Sequence, residues 1–293
     1  MLVLPKNNKE KRTPNFVVFL VEGESDQIAL ESMLSEMIFE KNPEYEVRFL
    51  LQQRIVNKDG EEIDEGNDET DNEIDEKYLD EEEFESGGDI TSSSFVTPEN
   101  IVIKIENRFI KPATKTEGLY PKKIAKIIHI VDLDGCYIPK ESVIPFSPER
   151  STREKPYYDG DCGTIEASDV EKIRERNEKK KKNIDFLISL TDIGIKIGSR
   201  TIPYEIYFFS SNLDHFIHNN ANLESGKKNL AREFLRKHGC FKDKFCNFFF
   251  NDPSSIGKLG YSESWAEMRK DLNSVRRFTN IDCLINRLLS DEV

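Results

Sequence analysis

Two short acidic strings carry the chemistry of this sequence: Val21-Glu22-Gly23-Glu24-Ser25-Asp26 and Val131-Asp132-Leu133-Asp134-Gly135. In the first, Glu22 follows an apolar run, Gly23 permits a tight turn, and Asp26 lies four residues on, where one helical turn would point it back toward Glu22. In the second, Asp132 and Asp134 alternate along an extended backbone, so both are expected on one side of a sheet. Carboxylates crowded this way repel unless a cation neutralises them. The natural partner is a hard divalent ion with oxygen ligands, Mg²⁺ or Mn²⁺. Such ions bind substrate phosphates, and two of them ~3.5–4 Å apart can hold the attacking and leaving oxygens of an in-line displacement. An isolated E-x-x-x-D is most often surface charge or a helix cap. The two strings together, each after a buried strand, point to a site.

The strands that must position these acids are legible. Phe16–Val21 (FVVFLV) and Lys126–Val131 (KIIHIV) are continuous apolar runs rich in β-branched residues, the pattern of strands buried on both faces. Tyr204–Phe209 (YEIYFF) is a third, and it runs into Ser211-Asn212-Leu213-Asp214. Val47–Val56 predicts a further strand. After the first strand, Ile28, Leu30, Met33, Leu34, Met37 and Ile38 fall at helical spacing, with Ser25 as a candidate cap and Asp26 in the first turn. Residues 145–165 read as loop. Val170–Lys182 reads as a charged, exposed helix end running on toward Ile184–Leu190, and from Lys227 onward the pattern is mostly helical. Alternating strands and helices predict an α/β fold with a parallel sheet flanked by helices, and ligands of such sheets gather at the carboxyl ends of the strands. Glu22, Asp132, Asp134 and Asp214 all stand at or just beyond such ends.

The 293 residues divide into an arm at 1–15, an α/β domain at 16–220 and a helical C-terminal subdomain at 221–293. The formal net charge of −13 is uneven. Residues 58–89 hold 17 acidic side chains and 2 Lys, a charge of −15, and −13 − (−15) leaves +2 on the rest. The acidic pI therefore does not exclude a nucleic-acid partner. The block at about 57–95 is expected to be a mobile insertion or an extended edge hairpin, because like charges with few apolar residues do not offset their ordering entropy. The longest apolar run near the start, Phe16–Val21, is too short for a membrane span, which takes ~20 residues. Five Cys with no C-x-x-C pair suit a reducing compartment. A soluble, cytoplasmic protein is the expectation.

Other candidates carry plainer readings. His215 and His218 could bind a transition metal but are expected to pack or cap a helix, since no third ligand stands at motif spacing. Cys240 and Cys246 read as core thiols, His129 as a strand residue packed under the site, and Trp265 as a core anchor of the helical tail. Among the basic clusters, Lys123, Lys180 and Lys228 are the candidates for contacting nucleic-acid phosphates. Tyr157 and Tyr158, in a loop with Arg153 and Lys155, could stack on bases.

The two acidic strings resemble the signature motifs of TOPRIM domains, which occur in topoisomerases, DnaG-type primases, ribonucleases that mature ribosomal RNA, and OLD-family nucleases. The E-G-x-S-D form is most similar to the OLD branch and its antiviral relatives. The resemblance implies a Rossmann-like TOPRIM sheet and a Mg²⁺- or Mn²⁺-dependent nuclease. It makes Glu22, Asp26, Asp132 and Asp134 metal ligands, with Glu22 and Asp132 catalytic and Glu22 also moving protons. OLD-like members place another acid after a later strand and a Lys beyond it; Asp214 fills the first place here as a further metal ligand, and Lys227 or Lys228 the second, with Lys227 taken as catalytic. OLD proteins also carry an ATPase, whereas no Walker A string exists in this chain: Gly257-Lys258-Leu259 lacks the Ser/Thr. The chain is thus similar to the stand-alone TOPRIM effector of two-component phage-defence systems such as PARIS or abortive infection. That implies a toxic endonuclease held or released by a separate ABC/SMC-like ATPase, with a homodimer as a further option and no membrane partner.

The expected substrate is nucleic acid, RNA such as tRNA before DNA. One rival is a catalytically idle TOPRIM module that scaffolds an ATPase. Another is an unrelated doubly wound domain that binds a nucleotide.

Overall fold

Strand β1 (Asn15–Val21) leads into helix α1 (Glu24–Lys41) and strand β2 (Tyr45–Leu51), and β2 returns parallel to β1. The computed structural model describes residues 15–56 and 83–290. The strand expected at Val47–Val56 is split. The backbone leaves the sheet after Leu51, and β3 (Gln53–Val56) pairs antiparallel with β4 (Glu83–Ser86) instead. The ends of the acidic block are therefore the two stems of a hairpin. Residues 57–82, on which the expectation of a mobile insertion falls, lie outside the described residues.

Beyond β4 the chain forms α2 (Ile101–Ile105), a wider helical turn over Glu106–Ile110 and α3 (Lys111–Glu117). The widened turn precedes Pro112, whose ring cannot sit against a regular preceding turn. Strand β5 (Ile124–Asp132) then enters the sheet between β1 and the later β11, parallel to both. The stretch read as loop at 145–165 contributes to a small sheet: β6 (Val143–Pro145), β7 (Tyr157–Asp159) and β8 (Thr164–Ala167) in the order β6-β8-β7. Its strands are three or four residues long, too short to show alternation above the Pro, Gly and Asp around them.

Helix α4 (Val170–Ser189) starts at Asp169, whose side chain accepts from the Lys172 N–H at 3.0 Å. The hairpin β9 (Ile195–Ile197) and β10 (Arg200–Ile202) leads to β11 (Tyr204–Phe209). Five helices follow: α5 (Leu213–His218), α6 (Lys227–His238), α7 (Lys242–Asn251), α8 (Tyr261–Met268) and α9 (Ile281–Leu289).

The four-stranded parallel sheet, in the order β11-β5-β1-β2, has helices on both faces. Alternation along each strand divides the core. Phe16, Val18 and Leu20 of β1 and Tyr204, Ile206 and Phe208 of β11 pack with α2, α4 and α8. Val17, Phe19, Val21, Tyr207 and Phe209 face α1, α6, α7 and α9. Burial on both sides is why these strands read as unbroken apolar runs. The C-terminal helices thus cover both faces, and the 278–280 segment closes the edge of β11: Ser210 N donates to Phe278 O at 2.9 Å, and Phe208 N to Asn280 Oδ1 at 2.9 Å.

Trp265 anchors α8 as expected. It is 1% exposed, with its ring 4.7 Å from that of Phe208. Trp265→Ala is expected to cost about 3–5 kcal/mol, read as a lower denaturant midpoint; a loss below about 1 kcal/mol would contradict this anchoring role.

Candidate functional site

Because β1, β5 and β11 are parallel neighbours, their carboxyl ends share one edge of the sheet. There the two acidic strings meet: Glu22 Oε1 accepts from the Asp132 N–H at 2.8 Å, joining motifs 110 residues apart. Asp26 turns back as expected, and its Oδ2 accepts from the Gly23 N–H at 2.8 Å. Asp26 therefore caps α1, with Gly23 as the flanking residue in place of Ser25. Gly23 itself is extended (φ −146°), so its N–H matters here and its freedom to turn does not. Asp132 Oδ1 accepts from the Leu213 N–H at 3.1 Å, which ties β5 to the start of α5. Asp214, 3% exposed, pairs through Oδ2 with Lys227 Nζ at 2.8 Å, while its Oδ1 is buried with no hydrogen-bond partner among the described residues. Glu22, Asp26, Asp132, Asp214 and Lys227 are thus brought together.

Asp134 departs from expectation. The strand ends at Asp132, and Asp134 sits in a turn at φ +48°, so the two acids do not simply alternate along β5. The turn needs Gly135 at φ +68°, where an added Cβ would lie 3.0 Å from Ile165 and 3.3 Å from Val275. Asp134 is directed toward α4. Lys180 Nζ lies 2.6 Å from its Oδ2, Tyr158 OH donates to Oδ1 at 3.2 Å, and Arg176 donates to its main-chain O at 3.2 Å.

Lys180 is the main correction among the phosphate-contact candidates. It is 0% exposed and is held between Asp134 and Asp89, 2.7 Å from the latter, so it has no surface to offer a nucleic acid. Lys123 lies at the opposite end of β5 from Asp132, nine residues or roughly 30 Å away, with its ammonium over the Tyr120 ring. Lys228 does stand beside the site, exposed, with Nζ 2.5 Å from Glu24 Oε2.

Four site residues were not legible as such. Asp89 is hidden at the end of the acidic block, and Lys180 inside Lys179-Lys180-Lys181-Lys182. A signal for Lys180 existed: it falls on the stripe Ile173, Asn177, Lys180, Ile184, Leu187, the buried face of α4. Tyr158 and Arg176 bond each other and Asp134, so Tyr158 is a site residue rather than a base-stacking one; Tyr157 instead lies under Arg150, 3.8 Å from the ring centroid.

None of the remaining candidates is hydrogen-bonded to the site acids among the described residues, though His129 packs near Asp89 and Lys180 as expected. His215 Nδ1 pairs with Ser211 Oγ at 3.0 Å. His129 is buried in β5 beside the Tyr204 hydroxyl at 2.9 Å, and burial pushes its pKa down to about 4. Cys246 is buried as expected, but Cys240 is exposed at the end of α6, so it is no core thiol.

The site divides electrostatically. Burial, then the Asp89 charge, pushes Glu22 well above the usual carboxylate range, with Lys180 opposing. Burial, then Asp26 and Asp134, does the same to Asp132. Burial raises Asp26 to about 7, with Asp214 adding and the Gly23 N–H and Lys227 opposing. Asp134 moves the other way: burial would raise it, but Lys180 and Arg176 outweigh that. Counted ionised, Glu22, Asp26, Asp89, Asp132, Asp134 and Asp214 against Lys180, Lys227 and Arg176 give −6 + 3 = −3.

That excess and its oxygen-only donors fit a hard divalent cation better than a soft one. Glu22, Asp26 and Asp132 are the carboxylates with no lysine ion pair, and each anchors one oxygen on a main-chain N–H. Among the described residues no three His, Cys, Asp or Glu side chains are gathered closely enough to enclose a metal ion. The group is a largely buried acidic edge without a closed cage among the described residues; Mg²⁺ commonly keeps several waters and takes only one or two carboxylates.

A stability prediction follows from Asp26. Its folded pKa of about 7 exceeds the ordinary aspartate value, so between roughly pH 4 and 7 the folded state binds more protons than the unfolded one. Stability from this group is present in acid and lost as pH rises through that window. In cation-free buffer, Asp26→Asn is expected to raise the melting temperature at pH 8, and the gain should vanish by pH 4. A gain that instead grows toward acid would contradict the assignment.

The chain matches no protein-family model, no curated protein and no solved structure. Among the described residues no helix is long and apolar enough to cross a membrane.

Proposed function

We propose that this chain is a Mg²⁺- or Mn²⁺-dependent endonuclease of TOPRIM type that hydrolyses phosphodiester bonds in nucleic acid, with RNA such as tRNA favoured over DNA. The observation that carries the reading is the Glu22–Asp132 contact: two acidic strings far apart in sequence meet at the carboxyl edge of a parallel sheet among buried, mutually repelling carboxylates.

One or two of Glu22, Asp26 and Asp132 would hold the cation, with water completing its shell. When bound, it neutralises their charge, polarises the phosphoryl group and makes water a better nucleophile. Glu22, raised by burial, is suited to take up and return a proton as water adds to phosphorus and the P–O bond to the leaving oxygen breaks. Asp132, which accepts from the Leu213 N–H, ties the end of β5 to the start of α5. Lys227 is half-exposed and keeps its charge beside Asp214, so it can face a substrate phosphate, with Lys228 next to it. A role as the toxic effector of an antiviral system, released by a separate ATPase, rests on the resemblance of the two strings alone.

The second reading, an idle module, is favoured by one observation. Asp134 and Asp214 are already neutralised by Lys180 and Lys227, and no closed cage of acids stands among the described residues. Incubating the purified chain with Mn²⁺ and total tRNA beside supercoiled plasmid separates the two. The nuclease reading predicts discrete fragments that a chelator prevents. Intact substrate at every Mn²⁺ concentration supports the idle module. ATP binding without strand cleavage supports a nucleotide-binding domain.

A further inference from the structure

Between α4, the segment after the Asp134 turn and the end of α8 lies a cavity of about 400 Å³ whose lining contains none of the acids described above. Four cationic side chains line it, Lys140, Arg174, Lys181 and Arg269, against two acidic ones, Glu178 and Asp271. Two of the cations build the walls. Arg174 Nε donates to Lys140 O at 3.0 Å and Nη2 to Val143 O at 3.1 Å, which pins the 140–143 segment to α4. Arg269 is anchored on Asp185 at 2.8 Å. The other two, Lys140 and Lys181, are exposed and form no ion pair among the described residues; Lys181 lies 6.0 Å from the Tyr137 ring centroid. Glu178 is drawn toward Lys182, 3.6 Å away. The Cys136 thiol, also in the lining, stays neutral, because burial pushes its pKa up to about 12.

Asn177 is what distinguishes this cavity from a solvated basic surface. It is 5% exposed, it lines the cavity, and its Nδ2 has no hydrogen-bond partner among the described residues. The amide cannot turn to hide that donor. Its Oδ1 accepts from Arg176 Nε at 3.1 Å and Nη2 at 2.8 Å, and a guanidinium has only donors to offer, so the oxygen must face Arg176. A buried donor left without an acceptor costs about 1–3 kcal/mol. A water would satisfy the amide alone; an anion satisfies the amide and the two unpaired ammonium groups together. We infer that this cavity binds a terminal phosphate, the monoester of a free nucleotide or of a nucleic-acid strand end, with Asn177 Nδ2 donating to a phosphate oxygen and Lys140 and Lys181 supplying charge. A monoester carries nearly two negative charges at neutral pH where a backbone diester carries one, and the lining has two more cationic than acidic side chains. Arg176, which holds the Asn177 oxygen, also donates to Asp134 O at 3.2 Å, so the cavity adjoins the acidic edge. The phosphate site stands on its own residues; its use in seating a substrate end rests on the hydrolase reading.

The test is calorimetry on the metal-stripped full chain at physiological salt, with two matched pairs of probes: AMP against adenosine, and a 5′-phosphorylated oligonucleotide against its 5′-hydroxyl twin. In at least one pair the phosphorylated member is expected to bind about tenfold tighter or more, the scale of a charge-assisted hydrogen bond. Discrimination in the AMP pair assigns the phosphate to a free nucleotide, and discrimination in the oligonucleotide pair alone assigns it to a strand end. Lys140→Gln with Lys181→Gln is expected to abolish the difference, and so is Asn177→Asp, which keeps the acceptor for Arg176 and removes the donor. Lys172→Gln with Lys196→Gln removes the same charge from exposed positions outside the cavity and should change it by less than about twofold. No discrimination in either pair would overturn the inference. So would equal losses in the two lysine pairs, which would mean diffuse charge attraction, and that comparison stands even if Asn177→Asp does not fold. Phosphate discrimination by a chain that cuts no nucleic acid leaves the inference standing and removes the hydrolase reading; a nuclease blind to terminal phosphate does the reverse.

Discussion

If the proposed hydrolase reading holds, Asp132→Asn is expected to lower cation-dependent strand cleavage by about 10³-fold, the ~4 kcal/mol scale of charge stabilisation that a bound cation or a fixed donor contributes at a reacting phosphate. The substitution keeps the shape of the side chain. Its amide oxygen can still accept from the Leu213 N–H, and the main-chain N–H of residue 132 can still donate to Glu22 Oε1. The fold is therefore expected to survive, and relief of the repulsion from Asp26 and Asp134 should leave the cation-free protein no less stable. Cleavage is measured with tRNA and Mn²⁺ at pH 7.5, with a melting curve of the same sample. Full activity in a folded Asp132→Asn protein would remove Asp132 from the mechanism.

Lys180→Ala has the largest expected effect on stability. It leaves Asp89 and Asp134 buried without their shared counter-charge, a loss of about 3–5 kcal/mol for breaking a buried ion pair from one side. For a chain of this size that is a fall in melting temperature of roughly 6–20 °C in cation-free buffer. Lys182, two residues along the same helix, provides the contrast. It is 64% exposed and 3.6 Å from Glu178, so Lys182→Ala should change stability by less than about 0.5 kcal/mol. Equal effects of the two substitutions would show that Lys180 is not the buried bridge described here.

The parts of the fold that were legible are those where one physical signal dominates. Phe16–Val21, Lys126–Val131 and Tyr204–Phe209 read as strands because both of their faces are buried, and all three lie in the central sheet. Glu22, Asp26 and Asp132 were legible because they follow such runs directly. Asp134 was misread because nothing in Asp132-Leu133-Asp134-Gly135 says that the strand stops at Asp132; the turn is fixed by contacts with Phe209 and Ser211, and by Ile165 and Val275 packed around Gly135. Asp89 and Lys180 were hidden by their neighbours. A single useful acid among 17 in the block, or one buried lysine in a run of four, has no local mark, and only the packing of α4 against the 87–96 segment selects it. The short strands β6 to β8 were illegible for another reason: three residues are too few for a period.

The central claim is that the carboxylates at the strand ends work with a divalent cation on a phosphodiester. The most direct test titrates Mn²⁺ into chelator-treated chain in the presence of end-labelled tRNA, with Asp132→Asn in parallel. The prediction is no product before the cation is added, saturable product as it is titrated in, and none from the variant at any concentration. Product that forms in the presence of chelator, or equally from the variant, would contradict it.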